Sequence, residues 1–243
     1  MTLHGINSST RAWEALGYLD GPPTRVSASA PVAPVALWHF DRDLADEIGG
    51  YTLAVTAGTI KYVPVYPGLY GAFIDNDTYL TAISTPAGLR ITGDKTITIL
   101  GSVHEFPAAS SSRGVLVGLS STSSTEANNT LYSLGIYEGG TYWRSEHGSS
   151  VSDTAELQGK PQLHTLSVWT VRISSGALTV WVDGFLQAGP SSAITTPTGG
   201  NTAAFVVGAE AGGTLQSCST MLSLAVYDSA LSDADILSQA QAC

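Results

Sequence analysis

With 243 residues, the chain is long enough for one large domain or two small ones around a real core, so stability requires no disulfide. Charged residues make up only 12% while hydrophobic residues reach 43% and Gly fills 26 positions, which excludes a disordered or coiled-coil chain. Ten Lys and Arg against twenty Asp and Glu give a formal charge of −10, leaving no basic face to neutralise phosphates and excluding nucleic acid as a partner.

Residues 1–35 differ from everything after them. Ser9 or Thr10 can cap a short helix through Arg11–Leu16, with Trp13 and Leu16 on one face and Gly17 as its stop. The stretch GPPTRVSASAPVAP that follows is an extended connector, because proline fixes φ and pushes its predecessor toward β or polyproline II. Leu3, Ile6, Trp13, Leu16 and Leu19 are too few for a core yet too apolar for a free tail, so they are expected to dock on the domain's own surface or on a partner. The N-terminus carries no basic region followed by an apolar run, and no stretch of about 18 apolar residues occurs anywhere. The expectation is a chain outside the membrane and without a secretory leader.

From Ala36 onward the pattern has period two, in short runs divided by Gly, Pro, Asn and Asp. Thirteen strands are predicted: Ala36–Phe40, Tyr51–Val55, Lys61–Val65, Gly71–Ile74, Thr78–Ala82, Lys95–Val103, Gly114–Leu119, Leu131–Tyr137, Thr141–Arg144, Leu163–Ile173, Ala177–Val182, Ala204–Gly208 and Leu222–Tyr227. So many strands with few helices predict an all-β fold of two stacked antiparallel sheets. The run Leu163–Ile173 is apolar on both faces and reads as a central, doubly covered strand. Hairpins are predicted at Tyr137–Thr141 and at Ser174–Gly176, where glycines can supply positive φ. Residues 108–112 and 120–129 read as loops. A C-terminal helix is expected after Ser232, with Asp235 completing a capping box and Ile236, Leu237 and Ala240 forming its apolar stripe.

In order, LWHFD at 37–41, DEIGG at 46–50, GLYGAFIDNDTYL at 68–80, KTITILGSV at 95–103, YSLGIYEGG at 132–140, LHTLSVWTVRISSGALTVWVDGFLQAG at 163–189, FVVGAEAGG at 205–213 and MLSLAVYDSALSDADI at 221–236 resemble the concanavalin A-like, laminin G-like jelly roll. The likeness covers residues 36–243. It implies a curved two-sheet jelly roll, here with an N-terminal arm and a short C-terminal helix, that binds glycans or proteins through one face or rim. Gln162-Leu163-His164 and Ser223-Leu224-Ala225 stand where the family often carries a Trp-His-His-like element and an Asp-Glu pair, so no binding residue is carried over.

No Glu-x-Asp-x-Glu strand of the kind that glycoside hydrolysis uses is present, nor a G-x-S-x-G elbow, so the expectation is a protein that is not an enzyme. Asp41, Asp43 and Asp46, and separately Asp75, Asn76 and Asp77, lie in turns that can either ligate calcium or bond nearby amides. The five histidines, His4, His39, His104, His147 and His164, have no metal-ligand spacing. His164, beside a core strand, reads as a hydrogen-bonded structural residue. Tyr142, Trp143 and Arg144 form the best glycan-binding cluster, the competing reading being that Trp143 packs inside the sandwich. Cys218 and Cys243 can pair or remain free.

A leaderless, lysine-poor β-domain with an apolar arm suits a particle assembled inside a cell and released by lysis. The first expectation is a non-enzymatic bacteriophage virion protein, decorating capsid or tail, held to other virion proteins through residues 1–35 and homo-oligomeric in the assembly. The alternative is a carbohydrate-binding, lectin-like module.

Overall fold

The computed structural model describes residues 32–82, 87–105, 114–120, 130–137, 140–147, 151–191, 204–209 and 217–243. The arm residues Leu3, Ile6, Trp13, Leu16 and Leu19, the short helix and the loops read at 108–112 and 121–129 lie outside them. Along the chain run β1 (Ala36–His39), β2 (Leu53–Ala57), β3 (Lys61–Tyr66), β4 (Leu69–Ile74), β5 (Tyr79–Ala82), β6 (Lys95–Val103), β7 (Gly114–Ser120) and β8 (Thr130–Tyr137). They continue with β9 (Gly140–His147), β10 (Val151–Leu157), β11 (Ser167–Ser174), β12 (Ala177–Val182), β13 (Phe185–Ala188), β14 (Ala204–Val207), β15 (Ser219–Tyr227) and helix α1 (Asp233–Ala242).

Two antiparallel sheets result. The first has the order β13-β12-β11-β6-β15-β4-β3, with β1 also pairing β15; the second has the order β10-β9-β8-β7-β14-β5-β2. This is the jelly-roll sandwich the sequence leads one to expect. Alternation along β6 and β11 explains the layering, since Ile97, Ile99, Val103, Trp169, Val171 and Ile173 face the opposite sheet within one buried cluster. Leu100, Leu166 and Val168 face the other way, into a second cluster under α1 with Trp181, Leu231 and Ile236. β11, between β12 and β6, is therefore central and covered on both faces, as read.

β6 and β12 match the predicted strands to the residue. β11 starts four residues later than expected, at Ser167, because His164 takes a left-handed backbone (φ 57) and breaks the extended run. β10 and β13, not predicted, are the outermost strands of their sheets. Edge strands need bury little, and β13 leaves Phe185 and Leu186 exposed.

Both hairpins form. Tyr137 pairs Gly140 across β8 and β9, and Ser174 pairs Ala177 across a turn whose Ser175 and Gly176 have φ of 51 and 79, the double-positive geometry of a type I′ turn. Ser232 caps α1 with the full capping box to Asp235. Of the stripe read from sequence, Ile236 is buried and Ala240 packs against the second cluster, while Leu237 is exposed and Gln239 is buried as well. Gln239 is tolerated there because its Nε2 donates to the Tyr227 hydroxyl at 2.7 Å. Arg172 locks the helix start, donating to the Leu231 carbonyl at 2.9 Å and to Asp233 at 2.6 Å. Both cysteines are free thiols, and burial pushes that of Cys243 up to about 12. Among the described residues, no helix is long and apolar enough to cross a membrane.

Candidate functional site

The cluster Tyr142, Trp143 and Arg144 lies on β9, where the side chains of Tyr142 and Arg144 fall outside the described residues. Trp143 is 1% exposed and stacks on Tyr132, with ring centroids 5.8 Å apart and planes 10° from parallel. Its indole is a wall of the core, so the expectation that it offers a sugar platform is corrected. Lys95, at the start of β6, is also only 1% exposed, with its ammonium 5.5 Å from the Tyr132 ring centre and 5.7 Å from that of Trp143. Burial lowers its pKa to about 8, opposed by the charge of Asp94. The aromatic pair thus holds a cation inside the sandwich.

In the acidic turns, Asp43, Asp46 and Asp75 bond the chain itself. Asp46 accepts the amides of Leu37 at 2.8 Å, Ile48 at 3.0 Å and Tyr51 at 3.2 Å, tying the 41–51 turn to β1. Asp43 accepts from the amide of Ala45 at 3.1 Å. Asp75 accepts the Thr78 hydroxyl at 2.7 Å and the Asp77 amide at 3.2 Å. The Thr78 hydrogen bond, with the Asp77 amide and Lys61 adding, holds the Asp75 carboxyl below its usual range. Of the two readings of these turns, this is side-chain-to-backbone bonding.

A site that the sequence did not single out forms where β6 ends beside the starts of β11 and β15. The chain leaves β6 through His104, whose amide donates to the Cys218 carbonyl at 2.9 Å. Leu163 bridges to Val103, and the His164 amide donates to the Val103 carbonyl at 2.7 Å, bringing the two imidazoles together. Their Nδ1 atoms are 3.2 Å apart, and His104 Nε2 is 2.7 Å from Thr220 Oγ1. Burial, then the neighbouring His164, lowers the His104 pKa. The Phe73 ring, half-buried on β4, is tilted against His104 at 5.6 Å, with the Lys61 ammonium 5.8 Å from its centre. Asn76 Nδ2 donates to Glu105 at 3.2 Å, completing an exposed polar border. Burial raises the Cys218 thiol pKa here, helped by the charges of Glu105 and Asp75.

Lys61, Phe73, Asn76, His104, Glu105 and His164 thus gather on one rim: an aromatic ring flanked by donors and acceptors, the arrangement that suits a saccharide. Behind it, Ser102, Ser167, Ser219 and Trp169 line a cavity with room for about one water, which does not admit a sugar ring. His39 stands elsewhere, against Ser223 at 2.9 Å and Glu47 at 3.5 Å. His4 and the His147 side chain lie outside the described residues.

No family model matches the chain, and no curated protein matches it in sequence. Solved structures share the fold. Domain 4 of AbnA, a GH43 extracellular arabinanase from Geobacillus stearothermophilus, solved with arabinotriose, matches with a TM-score of 0.61 and 16% identity, over 85% of this chain and 98% of that one. A Trypanosoma rangeli sialidase in complex with the inhibitor DANA matches at 0.57 and 17% identity, over 96% of this chain but 38% of its own. The receptor-binding domain of botulinum neurotoxin C/D mosaic serotype matches at 0.60 and 11% identity, over 86% of this chain and 51% of that one. The chain thus shares the jelly-roll β-sandwich fold of these domains.

Proposed function

We propose that this chain is a non-catalytic, lectin-like recognition module that binds glycans on the Phe73–His104 rim. The observation that carries this reading is the rim itself, where an aromatic face stands between Lys61 and His104 with Asn76, Glu105 and His164 around it. The likeness to a domain solved with arabinotriose and to a receptor-binding domain supports it. The engagement of Asp46 and Asp75 in turn bonding favours binding over hydrolysis, which requires carboxylates turned toward a substrate. A glycan array probed with the full chain tests this. Specific binding, weakened about tenfold by Phe73→Ala, is the expected result, and a blank array refutes it.

The module's setting is the exterior of a bacteriophage particle, where residues 1–35 attach it to other virion proteins. What favours this is the contrast between Leu3, Ile6, Trp13, Leu16 and Leu19 ahead of the connector and a domain behind it that closes two cores of its own. Deleting residues 1–30 is expected to abolish incorporation into particles with the sandwich still folded. Unchanged incorporation refutes the attachment.

A further inference from the structure

We propose that His104 and His164 form a two-nitrogen site for a divalent transition-metal ion of the zinc, nickel and copper group. Nothing in the local sequence marks it, since the residues are 60 apart and are brought together by the antiparallel pairing of β6 with β11 and the bridge of Leu163 to Val103 beyond it. Three features of the geometry agree. The Nδ1 atoms are 3.2 Å apart. Two imidazole nitrogens on one tetrahedral ion, each about 2.0–2.1 Å from it, stand about 3.3–3.4 Å from one another. The far nitrogen of His104 is 2.7 Å from Thr220 Oγ1, so with Nε2–H donating to that hydroxyl the lone pair lies on Nδ1, facing His164. Metal-bound imidazoles carry an outer partner of this kind, which fixes tautomer and ring orientation.

The third feature is the backbone of His164. It sits at φ 57, a left-handed conformation that a residue with a Cβ adopts at a cost, and its amide is fixed to the Val103 carbonyl at 2.7 Å. That conformation delivers the imidazole to His104. The pair is exposed, so water or a ligand completes the coordination sphere. The Glu105 carboxylate, next to His104 in the chain, adds negative charge beside the pair, while Asp75 is paired with Lys61 at 3.7 Å. Imidazole pairs suit zinc, nickel and copper rather than calcium or magnesium. The inference goes beyond glycan recognition and does not need it: a blank glycan array leaves it standing, and its own failure leaves the array result untouched.

The test is calorimetric titration of the full chain with zinc chloride, alongside copper(II) electron paramagnetic resonance. The expected result is one saturable equivalent of zinc and a copper spectrum showing two nitrogen donors. His104→Gln and His164→Gly should each weaken zinc at least tenfold, Thr220→Val several-fold, and His39→Gln not at all. Glycine suits the left-handed backbone at residue 164, so His164→Gly is expected to keep the fold, checked by circular dichroism. No saturable uptake by the unaltered chain overturns the proposal, as does uptake that His164→Gly and His104→Gln leave undiminished.

Discussion

Lys95 offers the sharpest energetic test, because an ammonium group inside a β-sandwich leaves a pH signature. Its pKa falls from 10.5 in the unfolded chain to about 8 in the folded one. Below pH 8 both states are protonated and the folded state bears the net penalty of burial against the Asp94 attraction, about 3 kcal/mol from the displacement between the two values. Between pH 8 and 10.5 the unfolded chain holds a proton that the folded chain has released, so stability rises with pH across this window. Lys95→Met keeps the alkyl stem against Tyr132 and Trp143 and removes the charge. It forfeits a cation–π contact of about 1–2 kcal/mol, so at pH 7 the net gain is about 1–2 kcal/mol, or roughly 2–8 °C in Tm for a domain of this size. Tyr132 and Tyr227, whose pKa values burial raises, lower stability above pH 10, because the unfolded tyrosines ionise first. Comparing variant and parent at each pH cancels that effect. Urea melts from pH 7 to 10 should show the advantage of Lys95→Met shrinking steadily above pH 8. An advantage independent of pH, or a variant less stable than the parent at pH 7, refutes the reasoning.

Other substitutions probe the rest of the framework. Asp46→Ala strips the acceptor from three amides and should cost about 3 kcal/mol in chemical denaturation, equally with calcium and with chelator. Trp143→Ala should cost about 3–5 kcal/mol, as expected for a core tryptophan and not for an exposed sugar platform. Gly140→Ala should disrupt the β8–β9–β10 edge, since at φ 154 an added Cβ runs into the Leu157 carbonyl oxygen; a Tm within a degree of the parent contradicts this. Ser232→Ala should lower stability by about 1 kcal/mol through loss of the α1 cap, measurable by thermal melts.

The sequence made the sandwich legible because its central strands carry strong alternation. Lys95–Val103 and Ala177–Val182 read correctly to the residue, the first started by Gly93-Asp94 and the second bounded by Ser175-Gly176 and Asp183-Gly184. Phe185–Ala188 and Val151–Leu157 escaped because edge strands form from backbone pairing, and VSDTAEL has little apolar periodicity to show. In α1 the helical period placed Ile236 and Ala240 against the core but misplaced Leu237 and missed Gln239, which is carried inward by its bond to Tyr227, a partner that propensity has no means of seeing. The rim was invisible for a topological reason. His104 follows β6 and His164 precedes β11, and only the antiparallel pairing of these strands brings the end of one beside the start of the other. Trp143 shows the reverse case, an aromatic in a polar setting, YWRSEH, that the fold turns into the core.

The recognition rim is tested most directly by amide chemical-shift mapping of the full chain with a glycan selected on the array. Shifts concentrated at residues 73–76, 104–105, 163–164 and 218–220 are the result this account predicts. Shifts confined to residues 142–144 on β9, with those segments unmoved, would contradict it.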